Sequence, residues 1–387
     1  MEKRLNMVKI AEAMAATGLN NSCLAEKLSV SRTIVGEWLS GRKFPRPDKL
    51  IRLGLTLRLA HGELVVDPLS SAAVVNFRKK AQRTIGDDHY AFGVRAASLL
   101  DEVAEYLPEE LFDTPPLLSR PRLDYDYIQS VASKVRAHIS KKDSDPISYN
   151  NIIKLILMYN VIPVPVFWGG NSEDEHDAHC MHIKSPISRR EWVYINLDSH
   201  IFDFKFWVAH EIGHVLSCHI ISEDESEDFA ELFAQSFLFP GSSASLVYSE
   251  LHAMQKGKLV QRLIEIASKL KISPYTIFKA VNSYAANNNE KQLPALGGSY
   301  VAIKKFVESQ STLIENLSPA SGRTQTENSI VLKPKEYIDI SEKYFHTSFF
   351  KALTSLTIER GKDSGFIKTL LNINTVDAKE LHNCIVN

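Results

Sequence analysis

The sequence predicts a mainly helical protein with a small β-sheet (α+β), in which a separate helical head precedes the body and a helical region follows it. Three observations carry this prediction. Apolar residues recur at helical spacing through most of the chain. Strand-like runs are confined to residues 161–197. Residues 1–65 hold eleven Lys and Arg against six Asp and Glu, a balance of +5 that leaves −6 for the remaining 322, so a basic head joins an acidic body.

At 387 residues, against the usual domain of about 100–200, the chain is long enough for two or three domains. Its 44% hydrophobic and 24% charged residues exclude a collagen, a coiled-coil rod or a disordered chain. No apolar run reaches the roughly 18 residues of a membrane span, and the N-terminus lacks a signal-peptide pattern, so the expected setting is the cytoplasm with no membrane partner. Cys23, Cys180, Cys218 and Cys384 form no CxxC pair. Each is expected as a small buried hydrophobe instead of a disulfide or a thiolate metal ligand.

In the head (1–65), Ile10, Ala13, Met14 and Leu19 begin an apolar pattern. Leu24, Ala25, Leu28, Val30, Val35, Trp38 and Leu39 continue it on the inward faces of two successive helices. Ser31 is the expected N-cap of the second, Gly41 its end, and Phe44-Pro45-Arg46-Pro47 an extended connection to a helix from Asp48 to about Leu59. Residues 66–124 read as a connector: a helix from Phe77 to Leu107, charged on one face, then a Pro-rich linker from Leu107 to Leu123 containing Pro108, Pro115, Pro116 and Pro121.

The third segment (125–290) opens with helices at Tyr127–Ile139 and Ser148–Tyr159. In the run Val161–Phe167, Pro163 and Pro165 predict an edge strand, because proline cannot donate to a ladder. Gly169-Gly170 and an acidic loop lead to strands at Ala178–Ile183 and Glu191–Leu197. Helices then run from Phe202 to about Tyr284, broken by an acidic loop at Ser222–Ser226 and by Pro240-Gly241. The last segment (291–387) is helical around a polar stretch at Ser318–Ser329 and is the expected place of a sensor or regulatory element, and its Tyr and Phe residues after Tyr337 are expected in the core.

The chemistry is concentrated in His210-Glu211-Ile212-Gly213-His214. Residues four apart share a helical face about 6 Å apart, so both imidazoles can reach one tetrahedral ion at roughly 2.0–2.1 Å. Glu211 then stands beside the ion without binding it, placed to take a proton from an attacking water. Two surface histidines on a solvated helix would give the same letters. Phe206, Trp207, Val208, Val215 and Leu216 demand burial, however, and buried histidines need polar partners.

Catalytic zinc sites use three protein ligands. His219 follows too closely to turn back and reads as a helix-end residue. On the next helix Glu227, Ala230 and Ala234 share one face, whose small residues allow close helix approach, and Glu227 heads it as the expected third ligand. Glu231, one turn on, is expected to bond the far nitrogen of a ligand histidine. Glu223, Asp224 and Glu225 read as a solvated loop, and His176, His179 and His182 as surface groups.

The run FWVAHEIGH followed by EDFAELFAQSFLFP resembles the ImmA/IrrE family of metallopeptidases, whose pattern is HExGH followed by E-x-x-A-x-x-F-A-x-x-L-x-x-P. Glu227, Ala230, Phe233, Ala234, Phe237 and Pro240 fit the second element, with Phe237 in place of Leu. Phe229 stands where many members carry a second glutamate, which leaves Glu227 as the ligand. The resemblance spans about residues 125–285. It implies a zincin-like domain with one site made of His210, His214 and Glu227, holding Zn2+ or another divalent cation such as Mn2+. It also implies cleavage of a helix-turn-helix repressor that frees the genes it holds shut.

In the head, LAEKLSVSRTIVGEWLSGRKFP resembles the helix-turn-helix of XRE, or Cro/C1-type, repressors. The resemblance implies operator DNA as a partner, read by a homodimer. Arg32, Thr33 and Glu37 become candidates for base edges, and Asn21, Arg42 and Lys43 for phosphates. Two functions of different class are therefore expected to compete. One is a DNA-binding regulatory metalloprotease cutting a repressor or itself. The other is a repressor or antitoxin whose metal is structural or sensory, a site that would close its fourth position with protein and would not need Glu211.

Overall fold

A computed structural model describes residues 4–6, 9–10, 13–14, 17–39, 43–59, 64–66, 74–76, 87–112, 118–140, 145–168, 180–185, 187–188, 190–217, 223–318 and 332–387. They form two compact units, 1–72 and 73–387.

In the first unit, Asn20 caps α1 (Asn21–Leu28) by accepting from the backbone N–H groups of Ser22 and Cys23. Ser31 caps α2 (Arg32–Leu39) through a 3.2 Å bond from the Ile34 N–H, as its position predicts. Pro47, preset for a first turn, opens α3 (Pro47–Leu57). Leu24, Ala25, Leu28, Val35, Trp38, Leu50, Leu53 and Leu57 close a core of their own. A two-residue pairing of β1 (Arg4–Leu5) with β2 (Val65–Val66) joins the ends of the unit. Cys23 is exposed, against the expectation of burial, because it lies on the outer face of α1.

The second unit is built on a sheet of order β3-β5-β6-β4, from β3 (Val74–Asn76), β4 (Ile162–Val166), β5 (Cys180–Lys184) and β6 (Glu191–Asn196). β4 runs parallel to β6, while β5 is antiparallel to β6 and β3 antiparallel to β5. The proline-bearing β4 is at an edge, as expected, and that edge is buried. Thr347 Oγ1 donates to the Pro163 carbonyl at 2.6 Å and Tyr337 donates to the Pro165 carbonyl, so side chains replace a neighbouring strand.

Helices surround the sheet: α4 (Asp87–Ala104), α5 (Tyr125–Ile139), α6 (Tyr149–Met158), α7 (Ile201–Leu216), α8 (Glu223–Leu238), α9 (Gly241–Leu251), α10 (Lys256–Leu270) and α11 (Pro274–Asn287). The rest are α12 (Tyr300–Glu308), α13 (Leu313–Leu317), α14 (Pro334–Phe345), α15 (Phe349–Arg360), α16 (Ser364–Leu371) and α17 (Thr375–Val386). Of the run Ser222–Ser226, expected as a loop, Ser222 lies outside the described residues and Glu223–Ser226 are the first turn of α8, where the Glu225 carboxylate suits the positive end of the helix dipole. Residues expected as connector, central domain and C-terminal region share one core. Leu313 N–H reaches the Ser199 carbonyl, Trp168 Nε1 the Leu371 carbonyl and the Tyr194 hydroxyl the Leu370 carbonyl.

All of α7 except Ile201 and Asp203 is buried, so it lacks a solvent face and must be matched on every side. Lys205 meets this by donating to the Ile147 and Leu270 carbonyls, with burial, and then Lys271, pushing its pKa down to about 8. α8 packs along α7 and α5. Its Phe229, Phe233 and Phe237 rings stack in sequence, and buried Arg136 on α5 donates to the Phe237 carbonyl at its C-terminal end. Where α7 and α8 meet, a Cβ on Gly213 would lie 2.6 Å from the Ala230 Cα and 3.0 Å from its Cβ.

The nearest obstacle is backbone, so no rotamer change relieves a side chain at 213. Gly213→Ala should therefore push the two helices apart and cost about 1–3 kcal/mol, the range for overpacking a core. Chemical denaturation of the metal-free protein measures it, and an unchanged midpoint would show that the contact is looser than described.

Candidate metal centre

α7 presents His210 and His214 on one face, and the close passage of Gly213 over Ala230 brings Glu227, one turn before Ala230, to both of them. The three nitrogen–nitrogen and nitrogen–oxygen separations are alike: 3.2 Å between the two Nε2 atoms, 3.4 Å from His210 Nε2 to Glu227 Oε2 and 3.2 Å from His214 Nε2 to Glu227 Oε1. Ligands at about 2.0–2.1 Å from a tetrahedral ion lie about 3.3 Å from one another. These residues fit a single zinc-type ion, and the buried His-His-Glu group is one that could hold a metal.

The electrostatics agree with the geometry. His214 is pushed down to about 4, by burial first and by neighbouring His210 and His182, against the pull of Glu227. Burial alone would raise the Glu227 carboxyl, but the hydrogen bonds and charge of His210 and His214 outweigh it and hold that carboxyl far below the ordinary range. His214 neutral and Glu227 ionised is the protonation state that metal binding needs. His210 and His214 are buried whereas the Glu227 side chain is 33% exposed, so the group opens to solvent on the α8 side.

Glu211, on the turn between the two histidines, is also buried. It is close enough to β5 that its carboxylate, after burial, raises the Cys180 thiol. The far nitrogen of His214 is paired with Ser226 Oγ at 3.1 Å, and Ser226 also meets Ser217 Oγ at 3.1 Å. Glu231, expected in the role that Ser226 takes, accepts from Gln235 at 3.0 Å. One turn of α8 separates the two readings: Ser226 precedes Glu227 and rides over the end of α7, whereas Glu231 follows it. The Nδ1 of His210 is buried without a hydrogen-bond partner.

Sequence reasoning also missed His182. Expected on the surface, it is buried on β5, with Nε2 2.7 Å from Glu191 Oε2, while Lys184 Nζ reaches Glu191 Oε1 at 2.6 Å. The alternation of β5 could have shown it, since Cys180, His182 and Lys184 share one strand face. His176, His179, His219 and Cys218 lie outside the described residues.

In the head, Asn21, Arg32 and Thr33 are exposed. Glu37 is half-buried and paired with Lys43 Nζ at 2.9 Å, so these two candidates engage each other, while Arg42 lies outside the described residues. Tyr194 is buried on the interior strand β6.

The purified protein should bind about one divalent ion per chain. Glu227→Ala should lose it and Glu231→Ala should keep it, read by elemental analysis after dialysis. Retention in the first with loss in the second would put the ligand one turn further along α8. Comparison of the chain with known families, curated proteins and solved structures finds no match, so the reading of the site rests on its own residues.

Proposed function

We propose that the chain is a regulatory metallopeptidase of the ImmA/IrrE kind joined to an XRE-type DNA-binding head, and that it cuts a helix-turn-helix repressor or itself. The observation that carries this reading is a buried carboxylate, Glu211, on the same turn as two histidines that converge with Glu227. An ion bound there would act as a Lewis acid toward a peptide carbonyl and lower the pKa of a water. The protein's own part is to hold that geometry and move the proton. Glu211 takes the proton of the attacking water and passes it to the leaving amine. Ser226 orients His214, and the surrounding Phe206 and Trp207 rings restrict water around His210.

Against a repressor or antitoxin with a structural or sensory metal stands the ligand count. Among the described residues the group has three members, which leaves a fourth tetrahedral position for water and substrate. For the head, the reading rests on exposed Arg32 and Thr33 at the start of α2, where a recognition helix meets base edges. No helix among the described residues is long and apolar enough to cross a membrane.

Glu211→Gln preserves shape while removing the base. It should keep the metal and the fold and lose cleavage by about 100-fold or more. Mass spectrometry of candidate repressors incubated with either protein decides the point. Equal cleavage by both would remove Glu211 from the mechanism, and no cleavage by the parent would favour the non-proteolytic reading.

A further inference from the structure

A polypeptide that adds to a sheet needs an unpaired edge. The sheet of the second unit offers two places, and β4 is closed by Tyr337 and Thr347. The other is the outer side of β5. It is also the side nearest the site, because α7, which bears His210, Glu211 and His214, packs on β5 and not on β4 among the main contacts of the unit.

That place is taken by the chain itself. β3, from the stretch that leads from the head to α4, pairs antiparallel with β5 in the register Val74 with Lys184, Val75 with Ile183 and Asn76 with His182. Its direction carries the chain from the Lys184 end of β5 toward the Cys180 end. α4 packs against both β3 and β5, which anchors the strand from its C-terminal side. A peptide added outside β3 would lie one strand spacing, about 4.8 Å, further from the site.

We propose that β3 is a built-in occupant of the peptide-binding edge: an extended polypeptide substrate must displace Val74–Asn76 from β5 before it can lie beside Glu211. This rests on the peptidase reading above. The three-residue ladder is short, and an intrachain strand held at millimolar effective concentration excludes weak partners while yielding to a better one. Specificity then comes from the difference between two strands competing for one edge, and any event that draws the stretch before α4 away from β5 opens the site.

The test uses full-length Glu211→Gln protein, so that nothing is consumed, with and without Val75→Pro, which breaks the β3 ladder. Hydrogen exchange is followed in fragments covering residues 180–185, with fragments of α7 and α8 as the control for folding. The Val75→Pro protein should exchange at 180–185 about tenfold faster with α7 and α8 unchanged. A synthetic peptide of residues 71–80 should restore protection in that protein and leave the Val75 protein unaffected. Equal exchange at 180–185 with and without the proline, or equal response to the peptide, would overturn the proposal. Cleavage of unfolded β-casein by the Val75→Pro protein with Glu211 intact reads the peptidase separately: its absence counts against the peptidase reading and leaves the exchange result to decide who occupies the edge.

Discussion

The close passage of α7 over α8, backbone against backbone at Gly213 and Ala230, is the constraint on which the site depends. Histidines four apart can be supplied by any helix. A carboxylate within 3.2–3.4 Å of both imidazoles requires a second helix to approach without a side chain between them, and Gly213 with Ala230 is what permits it. The remaining supports serve that approach. Phe229, Phe233 and Phe237 bury one side of α8, Arg136 holds its Phe237 carbonyl, and Lys205 ties the first turns of α7 to the loop before α6 and the end of α10.

Both flanks of β4, β6 and β5 are covered by other parts of the chain. The proline-bearing edge of the sheet is blocked by hydroxyl donors from α14 and from the connection between α14 and α15, and its other edge is filled by a strand of the same chain. The C-terminal region therefore belongs to the body of the second unit: it supplies the seal on β4 and the carbonyl that binds Tyr194. Charge within the unit is arranged in the same economical way, with Glu191 taking both His182 and Lys184 beneath α7.

Much of this was legible in the sequence because the signals were local. The cap at Ser31, the edge strand marked by Pro163 and Pro165, and the single-face placement of Glu227, Ala230 and Ala234 each follow from one rule acting over a few residues. The misreadings involve contacts between distant segments. The partner of His214 is Ser226, not Glu231, because which turn of α8 overlies the end of α7 depends on the helix crossing. His182 is inside because α7 covers that face of β5. The occupation of β5 by Val74–Asn76 had no signal of its own in a short apolar stretch.

The site depends on two histidines of α7 and one glutamate of α8 that could hold one ion together. Anomalous diffraction from crystals of the zinc-loaded protein, recorded on both sides of the zinc absorption edge, tests it most directly. The account predicts a single strong peak about 2.0–2.2 Å from His210 Nε2, His214 Nε2 and a Glu227 oxygen, with Glu211 outside the ligand set. A peak coordinated by Glu231, His182 or Glu211 in place of Glu227, or no peak between α7 and α8, would contradict it.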